Sequence, residues 1–255
     1  MNQKPVRLPW LLPALAYALA FILSAPFNSG LLEKQFISYT GGWLPVTLAF
    51  IPAGLGTLIA AMIFRKADHR TGRTVTFAGQ DKFKNIVIAL VPLVVFCLTG
   101  IPGNDQVHVL LHSLFFGSVS LLYATSEEIF WRGYLQDALQ GINRNKAYVF
   151  TGILWWAWHF RFTTLFDLTA FAGICIISAI LLGHFAYSTK SYFASAGLHS
   201  LVIITTTGSA FTGMKITGIA VTILIWLAIG QWWKPVMKKP ASSSPDRQTE
   251  NNNEG

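Results

Sequence analysis

The chain has 255 residues, 53% of them apolar and only 12% charged, with a formal net charge of +8. That charged share is about half the ~25% of an ordinary soluble domain, and mean hydropathy is +0.48. Together these figures exclude a soluble globule with a large core. No basic run is interleaved with aromatics in a polar segment, so nucleic acid is not an expected partner. The positive charge instead sets membrane orientation and meets anionic lipid.

The first apolar segment, 8–26, follows Lys4 and Arg7 and superficially resembles a signal peptide. No polar mature domain follows it, so it reads as an uncleaved first helix. Further apolar segments lie at 43–64, 84–101, 109–134, 147–164, 168–188, 191–208 and 216–233. A membrane-spanning helix needs about 17–25 residues. The 84–101 segment, with Pro92 inside it, and the 191–208 segment are short and polar-tinged. Arg65–Lys84 is the only sizeable polar connection. From Lys238 the composition turns to Ser, Pro and Asn, which predicts disorder. The expected fold is all-α: a polytopic membrane bundle of about eight helices over 1–237, with a disordered cytoplasmic tail at 238–255.

Alternate threading tests this reading. With the N-terminus inside, all of the 19 basic residues fall in inner segments except Lys34, Arg161 and Lys215. Such a bias is the positive-inside rule. It predicts an integral protein of the bacterial inner (plasma) membrane with both termini cytoplasmic and lipid as a partner. Cys97 and Cys175 lie inside apolar segments and read as small core residues.

The fourth segment carries Ser126-Glu127-Glu128-Ile129-Phe130-Trp131-Arg132-Gly133. Ionised groups at membrane depth cost at least about 2.5–3.5 kcal/mol each on insertion scales. Such residues persist when they are paired, face a wet cavity or do chemistry. Glu128 and Arg132 are four residues apart, on one helix face, and predict an ion pair. Glu127 sits about 100° round the helix. Its neighbours at three and four residues are Tyr123, Ala124, Phe130 and Trp131, so it reads as a free carboxylate and a candidate general base or acid.

His159 lies in an aromatic stretch of the fifth segment, and His199 among small residues in the seventh. A rise of about 1.5 Å per residue puts Glu127, His159 and His199 in the inner half to middle of the bilayer. They are expected to share one cavity. His184, His108 and His112 read as interfacial or structural. A glutamate and two histidines can activate water directly or through a metal, zinc being the natural candidate for Glu127, His159 and His199. The spacing does not match His-Glu-x-x-His, so metal binding is not signalled.

Glu127-Glu128-x-x-x-Arg132-Gly133, then an aromatic-x-x-x-His ending at His159, then His199 in a small-residue helix, resemble the CAAX protease and bacteriocin-processing (CPBP, or Abi) family. The resemblance covers about residues 84–207. It implies an eight-span intramembrane endopeptidase that cuts a membrane-associated peptide or protein near the cytoplasmic side. In that reading Glu127 activates water with His159 assisting. Glu128 and Arg132 hold the helix and its electrostatics. His199 donates to the oxyanion, or ligates a metal if one is used. Two positions depart from the family pattern. Trp155 stands where Phe is usual, and Ile203 where Asn or Asp is usual. Thr206, on the same face one turn beyond Ile203, is the residue available to substitute. Two other readings use the same residues: a proton-coupled carrier, and a catalytically impaired self-immunity or scaffold member of the family.

Overall fold

The computed structural model describes residues 10–41, 44, 46–67, 73–101, 108–139, 141–206 and 212–232. The tail from 238 lies outside them. In chain order the α-helices are α1 (Leu11–Asn28), α2 (Leu31–Thr40), α3 (Ile51–Ala67), α4 (Lys82–Thr99) and α5 (Val109–Phe130). They continue with α6 (Gln136–Ala138), α7 (Arg144–Trp158), α8 (Leu165–Leu168), α9 (Ala170–Thr189), α10 (Tyr192–Thr206) and α11 (Gly213–Trp232). A π-helical turn, Trp131–Leu135, joins α5 to α6 without a break. Among the described residues there is no strand, only one isolated bridge between Thr76 and Ser191.

Each apolar segment of the sequence forms a helix. Six helical stretches are long and apolar enough to cross a membrane: Leu11–Asn28, Leu48–Ala67, Lys82–Thr99, Val109–Ala138, Leu165–Thr189 and Gly213–Trp232. The other two, α7 and α10, have 15 residues each, about 22 Å at 1.5 Å per residue. Pro92 sits inside a continuous α4. The fifth helix stops at Trp158 rather than near 164, because Phe160 takes the left-handed conformation (φ 55°), which ends a helix.

A mostly apolar interior encloses a few charged groups, while large apolar side chains cover the outside. Glu127, Glu128 and Arg132 are wholly buried, while Leu98, Leu122, Ile22 and Leu181 point outward. The outward residues need a lipid-like solvent, and the chain is an integral membrane protein. Within the bundle, small residues let helices approach closely. α1 meets α3 through Ala16, Ala20, Ala53, Ala60 and Ala61, tied by the Ser24 hydroxyl donating to the Ala53 carbonyl at 2.8 Å. A Cβ on Gly152 would stand 2.6 Å from the Ile176 Cα, and one on Gly197 2.5 Å from the Ala89 Cα.

Neighbouring helices run in the directions that alternate threading requires. α4 and α11 are antiparallel: Gly100 lies by Met214, Gly218 by Phe96, and Trp226 bonds the Ile88 carbonyl. α3 and α5, two spans apart, are parallel, with Gly54 beside Ser126 and Arg65 beside Asp137. One end of the bundle gathers the 73–81 connection, the end of α9 and the start of α10. There Tyr192 and Phe193 donate backbone N–H groups to the Thr76 and Phe77 carbonyls. Asn85 bonds the Ala78 and Thr189 carbonyls, and Asp137 accepts from Thr74. Both cysteines are free, Cys175 buried and Cys97 partly so.

Close backbone approach at α4–α10 makes Gly197 a sensitive position. We expect Gly197→Leu to cost about 1–3 kcal/mol through overpacking. In detergent it should lower the thermal unfolding midpoint by several degrees. Gly141→Ala, with nothing within 4 Å of the new Cβ, should leave the midpoint in place.

Candidate active site

Three helices supply the polar centre. The last turn of α5 and the π turn after it bring Glu127, Glu128, Trp131 and Arg132. α7 brings Trp155 and His159, and α10 brings Ser195 and His199. The predicted pair is present: Arg132 Nη1 donates to Glu128 Oε1 at 2.6 Å, with both side chains fully buried. Glu128 does more than hold its own helix. His199 Nδ1 lies 3.0 Å from the same Oε1, and the Ser195 hydroxyl donates to Oε2 at 2.7 Å. The carboxylate therefore ties α5 to α10 and fixes which His199 nitrogen faces away from it. The Arg132 Nε and Nη2 groups are buried and find no acceptor among the described residues.

Glu127 is held differently from the sequence expectation. Its neighbour four residues on, Trp131, carries a hydrogen-bond donor, and the indole N–H bonds Glu127 Oε2 at 3.1 Å. A second indole, Trp155 on α7, donates to the same oxygen at 2.7 Å. Oε1, wholly buried, has no well-aligned hydrogen bond among the described residues, although the Tyr123 hydroxyl lies close enough to interact with the same carboxylate. The free carboxylate of the sequence reading is thus held by two indoles at one oxygen.

Trp155 also organises the histidines. Its ring lies edge-on to His199 with centroids 5.0 Å apart and 5.5 Å from His159. The Arg132 guanidinium carbon sits 5.2 Å from its centroid. Glu127, Arg132, His159 and His199 therefore surround one indole. His159 is the C-cap of α7 rather than a mid-helix residue. Its Nδ1 lies 2.8 Å from the Trp155 carbonyl, which also accepts the His159 backbone N–H at 3.3 Å. The side-chain bond assigns the proton to Nδ1 and leaves Nε2 as an acceptor in the neutral ring.

The remaining histidines stay apart from this centre. His112 Nδ1 bonds the Ile101 carbonyl, His108 caps α5, and His184 packs against Tyr148. Ile203 is partly buried among apolar neighbours in the core. Thr206 does not reach the centre, because it is exposed and its hydroxyl donates to the Val202 carbonyl at 2.7 Å.

Among the described residues no three His, Cys, Asp or Glu side chains converge as a ligand set. His199 Nδ1 is engaged by Glu128 and His159 Nδ1 by a carbonyl, while Glu127 Oε2 is engaged by two indoles. The functional contacts that formal charge alone did not reveal are those of Trp131, Trp155 and Ser195. Trp131 was readable, since it stands four residues from Glu127. Trp155 and Ser195 depend on how α7 and α10 dock.

Fold and centre define a helical membrane protein with a buried carboxylate, arginine and histidine site. Residues 109–205 match the family model described as Rce1-like, type II CAAX prenyl endopeptidase Rce1-like. The matched stretch contains the whole polar centre, and the likeness agrees with the motif resemblance drawn from the sequence. No curated protein and no solved structure gave a match.

Breaking a buried ion pair by removing one partner costs about 3–5 kcal/mol, because the other charge stays buried. Glu128 would keep two neighbours but lose its permanent cation. We expect Arg132→Ala to lower the folded yield in detergent sharply, as read by size-exclusion chromatography. A wild-type elution profile would show that the pair is not structural.

Proposed function

We propose that the chain is an intramembrane endopeptidase of the CAAX-protease type. It hydrolyses a peptide bond of a membrane-associated peptide or protein with a water activated by Glu127. The observation that carries this reading is Oε1 of Glu127, buried without a well-aligned hydrogen bond among the described residues, with the Tyr123 hydroxyl near the carboxylate. An acceptor buried without a well-aligned donor is costly, and two N–H groups hold the other oxygen in place. Such an atom is suited to receive a proton from a bound water.

The residues divide the work as follows. A water at Glu127 Oε1 gives up a proton to the carboxylate as its oxygen adds to the scissile carbonyl carbon. His159 Nε2, unprotonated, accepts the second water hydrogen in a hydrogen bond and orients the nucleophile. The carbonyl oxygen becomes an oxyanion. His199, held through Nδ1 by Glu128, is the residue assigned to stabilise it. Glu127 returns its proton to the leaving amine as the C–N bond breaks. Donors aimed at developing charge in a dry site are the strongest catalytic device available to such a protein.

By the same reading, the protein sits in the bacterial inner membrane with both termini cytoplasmic. The basic-residue bias supports it, as do the relative directions of the packed helices. Reporter fusions after Lys84 and after Lys239 should both read cytoplasmic.

Glu127→Gln tests the chemistry. An amide oxygen still accepts both indole N–H groups, while the NH2 in place of Oε1 cannot take a proton from water. Folded yield should match wild type, and cleavage of a membrane-anchored peptide substrate should be lost. Chelator treatment should leave wild-type cleavage in place, with no stoichiometric metal on elemental analysis. Full cleavage by Glu127→Gln would remove Glu127 from the role. Folded, metal-free wild type that cuts no substrate would favour the impaired-member reading, in which Ile203 replaces a needed polar group.

A further inference from the structure

Two indole N–H groups converge on one oxygen of Glu127, and neither is required by helix packing alone. A carboxylate in a low-dielectric site can rotate about its last torsion, which is broad. A half-turn regenerates the same carboxylate, but any smaller rotation would swing the oxygen that meets water off its direction. Trp155 and Trp131 remove that freedom. Their donors come from different helices, Trp131 from the π turn and Trp155 from α7, and meet Oε2 at 3.1 and 2.7 Å. Trp131 is itself fixed edge-on by Trp158, with centroids 5.9 Å apart, and by Phe130 at 4.8 Å. Trp155 is fixed by the two histidines and by Arg132. Both indoles are essentially buried, at 0% and 4% exposed.

We propose that Trp155, seconded by Trp131, is a positioning residue that fixes the plane of the Glu127 carboxylate and with it the direction in which the other oxygen meets water. The proposal deepens the hydrolytic reading and rests on it. A phenyl ring at position 155 would fill most of the same space and still separate the histidines, but it offers no donor. The N–H, not the ring, is the functional atom.

The role belongs to turnover rather than to substrate binding, because the water-activating geometry improves only the step in which the water loses its proton. Replacing Trp155 by benzothienylalanine exchanges the indole N–H for sulfur at nearly constant shape. We expect kcat to fall about tenfold or more with KM within about twofold, the pattern of an interaction that acts in the transition state alone. Trp155→Phe should follow it. Trp131→Phe should show a smaller loss, since the shorter bond remains, and the double variant more than either. Trp232→Phe, at an 82% exposed site, should change nothing. Unchanged kcat in the benzothienylalanine and Trp155→Phe proteins would overturn the proposal, as would a loss confined to KM.

A second readout does not need activity. Ultraviolet resonance Raman bands of indole report hydrogen bonding at N–H. The wild-type minus Trp155→Phe difference spectrum should show a strongly hydrogen-bonded indole, and the same component should weaken when Glu127→Leu removes the acceptor. A difference spectrum with only a non-bonded indole would sink the positioning role. A bonded indole in a protein that cuts nothing would leave the contact standing and count against hydrolysis instead.

Discussion

Everything polar in this bundle depends on neutralising Glu128. A carboxylate removed from water on all sides must recover its hydration from neighbours. Here it does so with a guanidinium, an imidazole nitrogen and a hydroxyl. Because these donors come from two helices, satisfying one charge also joins α5 to α10. The same contacts orient His199 and leave Arg132 above the Trp155 ring. Solving an electrostatic problem thus arranges a site. Glu127, one residue earlier and about 100° round the helix, falls outside this network and is free to be held by weaker, neutral donors.

The two helices too short to count as full spans are the ones that deliver histidines. α7 ends at Trp158, and the backbone N–H groups of His159 and Phe160 meet the Trp155, Trp156 and Ala157 carbonyls, leaving the Trp158 carbonyl to a side chain. Inside a membrane such a group needs a protein donor. α1 supplies it, the Asn28 amide at 2.8 Å, and adds the Tyr17 hydroxyl to the Leu154 carbonyl at 3.0 Å. The His159 ring adds a donor to the Trp155 carbonyl. The first helix, outside the stretch that matches the family model, is therefore part of what allows a helix to stop beside the site. Its polar residues at Tyr17 and Asn28 have no obvious purpose in an apolar segment until the end of α7 is placed against them.

Much of this was legible in the chain. The eight apolar stretches became helices, six of them long enough to span a membrane, and the four-residue spacing of Glu128 and Arg132 became a bond. Bookkeeping by formal charge hid the rest. Trp131 stood at the right spacing from Glu127 all along, yet an indole counts as apolar in hydropathy, and its N–H was overlooked. Trp155 and Ser195 could not be assigned by any local rule, since their partners lie 28 and 67 residues away. The end of α7 was misplaced because aromatic composition continues through Phe160 and Phe162 while the backbone turns at Phe160. Thr206 shares a face with His199 in projection, but its hydroxyl can reach its own helix, and that nearer acceptor wins.

The two departures from the family pattern gain meaning when taken together. At 203 a polar side chain has become an isoleucine that packs into the core, so α10 offers no second polar group there. At 155, where the family pattern has a phenyl, an indole donates to Glu127, the carboxylate proposed to act on water. One change removes a hydrogen-bonding group on the His199 side of the site, and the other adds one on the Glu127 side. They do not substitute for each other in geometry, because the added N–H points at the base rather than at the developing oxyanion. What they can share is the barrier. A transition state loses stabilisation when an oxyanion donor is missing and regains some when the base is held in its productive rotamer. The oxyanion then depends on His199 alone among the residues named by the motifs, with the unpartnered Nε and Nη2 of Arg132 the other buried donors beside the same indole. On this account the rigidity of Glu127 matters more in this chain than it would beside a polar residue at 203, and the two tryptophans are where that rigidity is built.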